Sequence, residues 1–207
     1  MAILKTYSAK DIEVLEGLAP VRKRPGMYIG GTDETAYHHL ANEILDNSID
    51  EAVAGYAKTI SVKLISKNTI SISDDGRGIP IDKYTKKKKT ALEVVMTTLH
   101  SGGKFNNNIY KSSAGLHGVG LSVVNALSSK LNIKITKNSK IFNQDYSKGK
   151  VLNKIKLKGK NKIRGGAQVS FTQGPEICGD ELNFKTEKIY GLSNNKAYLQ
   201  RGVRINW

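Results

Sequence analysis

The chain has 207 residues, 39% of them apolar and 25% charged, so it has room for one substantial α/β domain and enough apolar side chains to bury a core. No run reaches the ~18 apolar residues of a membrane-spanning helix, the N-terminal MAILKTYSAKDIEV has no signal-peptide core, and the lone Cys178 excludes an internal disulfide framework or a cysteine zinc site. The expectation is a soluble, cytoplasmic domain, and its formal charge of +15 asks for a polyanionic partner or a compositional explanation.

In chain order, Ser8 and Asp11 have capping-box spacing and predict a short helix through Ile12, Val14, Leu15 and Leu18. The string RKRPGMY (22–28) reads as a loop. Thr32 or Asp33 can then cap a long helix to about Ala54, stopped by Gly55. Its positions Leu40, Ala41, Ile44, Leu45, Ser48, Ile49 and Ala52 recur at three- and four-residue spacing and predict a core-facing stripe. Ile60/Val62/Leu64 and Ile70/Ile72 alternate on either side of a short turn, which predicts a β-hairpin. A helix near 92–99, a Gly/Asn/Ser-rich stretch over 101–120 and a helix over 121–128 follow. Strands near 131–137, 140–146, 151–158 and 167–172, a helix near 184–199 and a last strand over 203–207 complete the chain. Helices first and mostly antiparallel strands after them predict an α+β two-layer sandwich, not a wound parallel sheet.

Three segments carry chemistry. On the long helix Glu43, Asn47 and Asp50 fall at i, i+4 and i+7, and residues 34–55 hold five acids with no Lys or Arg. Like charges at this spacing weaken a helix unless a cation compensates them. An acidic solvent face gives the same pattern; the functional alternative is a carboxylate for general-base work and an amide oxygen for a hard cation such as Mg2+. The second segment is DDGRGIP (74–80), directly after a strand. Asp74 at a strand end can accept from an exocyclic amine, with glycines letting the backbone approach a flat ring, although a plain Asp-Gly turn also fits. The third is Gly115-Leu116-His117-Gly118-Val119-Gly120, running into a helix whose N-terminus offers backbone N–H groups and a dipole to an anion. It is neither a Rossmann fingerprint nor, with Gly102-Gly103-Lys104-Phe105 before it, a P-loop. The residues ahead of it suit a mobile lid.

Charge is unevenly spread. Residues 1–100 carry 14 basic against 13 acidic side chains, whereas 101–207 carry 19 against 5. Lys130 to Arg164 alone holds 12 basic residues and one acid, Asp145. Nucleic acid is one account of this. Drift in an AT-rich genome is the other, since Lys outnumbers Arg 27 to 6 and Asn (16) and Ile (20) are abundant.

The three segments, in this order, resemble the GHKL ATPases, and most closely the ATPase domain of bacterial type II DNA topoisomerase B subunits. The resemblance is carried by PVRKRPGMYIG (20–30), EILDNSIDEA (43–52), DDGRGIP (74–80), HSGGKF (100–105) and AGLHGVGLSVVNALS (114–128), and it covers essentially the whole chain. The ending KAYLQRGVRINW (196–207) looks more like the topoisomerase IV branch than the gyrase branch.

The resemblance implies a single ATP-binding domain over 1–207 of the GHKL (Bergerat) type, with a mixed, mostly antiparallel sheet and helices on one face. It implies an N-terminal arm over about 1–18 and an ATP lid over about 101–120, with the family's downstream regions, a further catalytic Lys among them, lying beyond Trp207. Such a domain is expected to bind ATP and hydrolyse it poorly by itself. By the same resemblance Glu43 is the base that activates water, oriented by His39, and Asn47 coordinates Mg2+, with Asp50 beside it. Asp74 accepts from the adenine amine, Gly78 and Ile79 line the base pocket, and Arg77 and Pro80 border the rim where aminocoumarins bind. Lys104 and the amides of Gly115, Leu116, His117, Gly118, Val119 and Gly120 hold the phosphates, and Tyr110 touches the nucleotide. Implied partners are DNA, an A subunit in a heterotetramer, a second copy of the chain on ATP binding, and the bacterial nucleoid as the setting. Remote alternatives are a chaperone or repair ATPase of the same fold, or a basic DNA-binding module without activity.

The family pattern is not fully kept. Ala167 stands where a Thr is usual beside the adenine-binding Asp, Lys86–Lys89 replace a mixed stretch, and Ala114-Gly115 replaces a glycine pair.

Overall fold

The long acidic helix organises the domain. In a computed structural model, which describes residues 8–105, 118–179 and 182–207, two short helices α1 (Ala19–Lys23) and α2 (Gly26–Ile29) lead into α3 (Glu34–Val53). Asp33 caps α3 by accepting from the Ala36 N–H at 3.0 Å, and Gly55 follows its end at φ +82°. Strands β1 (Thr59–Ser66) and β2 (Thr69–Asp74) form the expected hairpin. A minor hairpin, β3 (Lys83–Tyr84) and β4 (Lys89–Thr90), precedes α4 (Ala91–Thr97), which Thr90 caps. Helix α5 (Gly120–Leu127) runs straight into β5 (Ser128–Lys137), followed by β6 (Lys140–Ser147), β7 (Lys150–Val151), β8 (Lys156–Lys160) and β9 (Gly165–Gln173). A turn of helix, α6 (Pro175–Cys178), then α7 (Thr186–Leu199) and β10 (Arg204–Asn206) end the chain.

The sheet order is β10-β1-β2-β9-β5-β6-β7, with β8 also on β6. Among the described residues only the β1–β10 pair is parallel. Alternation along the strands sends Ile60, Val62, Ile70, Ile72, Leu131, Ile133, Ile135, Val169 and Phe171 to one face. These side chains share one core with Leu40, Ile44 and Ile49 of α3, Leu92 and Met96 of α4, and Val124 and Leu127 of α5. The opposite face is polar: Lys63, Lys130 and Lys134 are exposed there, and Ser71, Gln168 and Ser170 hydrogen-bond across strands.

Three readings need correction. Residues 22–28, read as a loop, close α1 and form most of α2, with Pro20 in the first turn of one and Pro25 just before the other, where a missing N–H costs no helical hydrogen bond. The helix expected from Ser8 through Leu18 is a single 3₁₀ turn, Ala9–Asp11. Its capping carboxylate is in place, with Asp11 accepting from the Ser8 N–H at 2.8 Å and hydroxyl at 3.0 Å. Ile12 and Val14 are 60% and 79% exposed, so the apolar stripe found nothing to pack against, and short helices without packing are marginal. The single strand expected over 151–158 is two short ones, with residues 152–155 between them outside either strand.

The adjacent histidines diverge as a helix requires. His38 is buried, with Nδ1 against the Glu34 carbonyl at 2.7 Å and Nε2 accepting from the Lys185 N–H at 2.9 Å, which ties α3 to the start of α7. His39 turns the other way, into the candidate site.

Candidate functional site

Glu43, on the exposed edge of α3, has its carboxylate Oε1 at 3.2 Å from His39 Nε2 one turn earlier. That contact raises the His39 pKa above the ordinary imidazole value, against a smaller opposing effect of burial. The same carboxylate presses on the start of α5. A Cβ at residue 120 would run into Glu43 Oε2, so glycine there lets the carboxylate rest against the helix start, and a larger residue would push it aside. The end of the GLHGVG turn and the acidic helix are thereby brought into contact.

One turn on, Asn47 donates its amide to the Glu43 carbonyl at 2.7 Å, which leaves Oδ1 free to accept. Lys104 Nζ takes that acceptor at 2.7 Å and also pairs with Asp50, whose side chain is only 1% exposed. The like-charged stripe of α3 is thus compensated by a cation from the Gly-Gly-Lys segment. The Ser101 N–H donates to the Gly118 carbonyl at 3.2 Å, drawing together the two ends of the expected lid. Gly118, Val119 and Gly120 lie at its near end. Tyr110, Gly115, Leu116 and His117, with the rest of 106–117, lie outside the described residues.

At the far end of the site Asp74 closes β2. Its carboxylate accepts from the Ser48 hydroxyl at 3.0 Å, from the Gly76 N–H at 3.0 Å, and from the Ala167 N–H opposite it on β9. Desolvation outweighs these donors and pushes its pKa from 3.8 up to about 6. Gly78 sits at φ +71° with residue 166 close behind it: a Cβ there would meet the Gly166 carbonyl at 2.8 Å. Ile79 packs on the core edge and Pro80 is exposed.

Sequence reasoning missed three supporting residues. Ser48 was read as part of the apolar stripe; it is buried there, but as a donor to Asp74. Glu51 accepts from the Arg77 N–H, Nε and Nη2 at 3.0, 3.1 and 2.8 Å, which locks the DGRG turn to α3. Tyr56 lies under the same guanidinium at 3.7 Å from the ring centroid. A serine in an otherwise apolar stripe and an acid one residue off it were the available signals.

A mostly antiparallel sheet with helices on one face, carrying an acid-and-amide helix opposite a glycine-rich helix start and a strand-end Asp, defines an ATP-binding α/β sandwich. Residues 32–173 match the model of the family described as histidine kinase-, DNA gyrase B- and HSP90-like ATPases. The chain belongs to that ATPase family. It is 57% identical over 206 residues to the B subunit of DNA topoisomerase 4 from Rickettsia bellii, covering 99% of this chain and 31% of that protein. It is 46% identical over 203 residues to the B subunit of DNA gyrase from Streptococcus pyogenes, covering 98% of this chain and 31% of that one. Among solved structures it resembles the 43K ATPase domain of Thermus thermophilus gyrase B in complex with an aminocoumarin, with a TM-score of 0.80, 40% identity, and coverage of 91% of this chain and 47% of that one. The chain therefore spans under a third of the length of these topoisomerase and gyrase subunits. Among the described residues no helix is long and apolar enough to cross a membrane.

Proposed function

We propose that this chain is the ATP-binding and hydrolysing domain of a bacterial type II DNA topoisomerase B subunit, of the topoisomerase IV kind over the gyrase kind. The whole subunit would act in the cytoplasm, on the nucleoid, with an A subunit in a heterotetramer, coupling ATP turnover to DNA strand passage, decatenation and relaxation. The observation that carries the reading is the His39–Glu43–Asn47–Lys104 run, a held carboxylate next to an amide oxygen that already draws a cation.

In this reading Asp74 accepts from the adenine amine, with Ser48 and Gly76 holding the carboxylate in place. Gly78, Ile79 and Ala167 border the base, and Arg77 and Pro80 form the rim open to aminocoumarin-type inhibitors. Lys104, with the amides of Gly118, Val119 and Gly120, holds the phosphates. Glu43 takes a proton from the attacking water while His39, its pKa raised by that same carboxylate, holds the carboxylate aimed.

Mg2+ fits the donor set. Asn47 Oδ1 and Asp50 both receive an ammonium, so the spot favours a cation. Among the described residues no three His, Cys, Asp or Glu side chains converge as a metal cage, which suits an ion that takes most of its shell from phosphate and water. Asn47 would hold it, and it would neutralise charge building up on the phosphates. The test is calorimetric titration of the chain with a non-hydrolysable ATP analogue, with and without Mg2+. Binding that ignores Mg2+ removes the metal assignment, and no binding removes the nucleotide assignment.

Ala167 gives a finer test. Its N–H serves Asp74, but its methyl offers no hydroxyl to a water between Asp74 and the adenine edge. A typical net hydrogen bond contributes ~0.5–1.5 kcal/mol, or about two- to twelvefold in affinity. Ala167→Thr is expected to tighten ATP and adenine-site inhibitors by a few-fold and leave the salt dependence of binding unchanged, since phosphate contacts are untouched. Dissociation constants for both proteins at two ionic strengths check this, and an affinity unchanged for every ligand overturns it.

A further inference from the structure

The lysine-rich segment does not enter the nucleotide site, and the fold lays it out as a surface. Lys130 and Lys134 are exposed on β5, in the interior of the sheet, on the face away from the helices. Lys134 stands across from Asn143 of β6, and Asn143 stands across from Lys156 of β8, placing the two cations in one row about 10 Å apart. At the same edge, but on the other side of β6 and β8, Lys140 and Lys160 are direct cross-strand partners, and like charges facing each other in this way destabilise a sheet. Every residue of β8 (Lys156–Lys160) is exposed, and Lys150, Lys154, Lys162 and Arg164 are exposed around it.

Elsewhere six of the 14 described lysines have an acidic partner, against two of the 11 in this segment. Lys23, Lys89, Lys104, Lys185, Lys188 and Lys196 are each paired with an acid. Among the described residues only Lys137 and Lys148, of the 12 basic residues in 130–164, are in ion pairs. The one acid there, Asp145, is occupied by Asn132, Asn143 and Asn153. Genome drift would raise lysine everywhere, but it would not align exposed cations of β5 and β8 on one sheet face, where the segment's single acid is already held by three asparagines. Lysines on an edge strand also guard against strand addition, but that role covers β8 and not Lys130 or Lys134 within the sheet.

We propose that this face, centred on Lys130, Lys134, Lys156 and Lys158, is a docking surface for the phosphate backbone of duplex DNA. The charge layout calls for a polyanion; the choice of DNA rests on the topoisomerase reading. Contact is through phosphates and independent of base sequence. The two aromatic residues of the segment, Phe142 and Tyr146, are both at least partly buried, so none stands out to stack on an unpaired base, and Arg164 is its one guanidinium. Lysine supplies point charges for a rod of phosphates.

The experiment measures binding of a fluorescent duplex of mixed sequence to the 207-residue chain across a salt series. The quadruple variant Lys130→Gln/Lys134→Gln/Lys156→Gln/Lys158→Gln is compared with Lys86→Gln/Lys87→Gln/Lys88→Gln/Lys89→Gln, which removes the same charge from the β3–β4 turn. The first variant is expected to bind at least tenfold more weakly at ~0.1 M salt. Its slope of log affinity against log salt should be shallower, by about 0.9 for each phosphate contact removed. The second should keep most of the wild-type affinity. Equal losses in both variants would show that only total charge matters, and overturn the surface. Tighter binding to phosphatidylserine vesicles than to duplex, lost in the first variant, would assign the face to lipid instead. Titration with an ATP analogue separates this from the nucleotide reading: both variants should bind it as wild type does. A wild type that binds duplex as described but not the nucleotide would leave the surface standing and remove the ATP site.

Discussion

Glu43→Gln is expected to bind ATP with wild-type affinity and to lose turnover by ~10²–10⁴, the range of general-base catalysis. The carboxamide keeps the shape of the side chain and an acceptor for His39 Nε2, now 3.2 Å from Oε1. It keeps the packing of the side-chain end against Gly120 as well. What it removes is the ability to take a proton. His39→Ala should cost less, because the imidazole holds the carboxylate and does not itself meet the water. Phosphate release by the intact B subunit, alongside calorimetric titration with a non-hydrolysable analogue, reads the two quantities separately. Loss of binding in Glu43→Gln with turnover per bound ATP unchanged would make Glu43 an anchor for the α5 start instead of a base.

The course of the chain was legible wherever periodicity and caps agreed. Asp33 and Gly55 bracket α3 as read, and the apolar stripe of that helix meets the core face of β1 and β2. The segment after Ser8 failed for the opposite reason. A capping box was present, but Ile12 and Val14 had no surface to bury against, and a cap alone does not hold a helix. At the site, residue types on one element were readable from spacing, as with Glu43, Asn47 and Asp50. Contacts between distant elements were not. That Lys104 would reach Asn47 and Asp50, 57 and 54 residues away, depends on how the lid base returns to α3. The same holds for Ser48 under Asp74 and for Glu51 under the Arg77 turn, since each is defined by a partner 26 residues distant. The lysine surface falls between these cases: composition flagged its charge, but only strand register showed Lys140 facing Lys160 and Lys134 in line with Lys156.

Asp74→Asn is expected to cost binding where Glu43→Gln costs turnover. The Asp74 carboxylate already accepts from Ser48, Gly76 and Ala167, and the adenine amine adds a further donor. Asparagine offers one acceptor oxygen and turns two N–H groups on a site built of donors, so one of these partners goes unmet. Hydrogen bonds to a charged group contribute ~1.5–3 kcal/mol, which corresponds to roughly a ten- to 150-fold loss of affinity. The pH dependence sharpens the test. Burial raises the Asp74 pKa to about 6 from an ordinary 3.8, so between those values the folded protein holds a proton that the unfolded chain does not. This group's contribution to stability is therefore greatest below about pH 4 and declines as pH rises through 6. A ligand donor is best received by the ionised form, so wild-type affinity for the nucleotide should fall as pH drops below about 6, approaching tenfold per unit. The carboxamide of the Asp74→Asn protein does not titrate. The ratio of the two proteins' affinities, measured from pH 5 to 8, cancels the nucleotide's own phosphate ionisation and isolates Asp74. That ratio should be largest above pH 7 and shrink towards pH 5. A ratio that stays level over the range, or an Asp74→Asn protein that binds as tightly as wild type, would show that Asp74 supports the DGRG turn and does not receive the base.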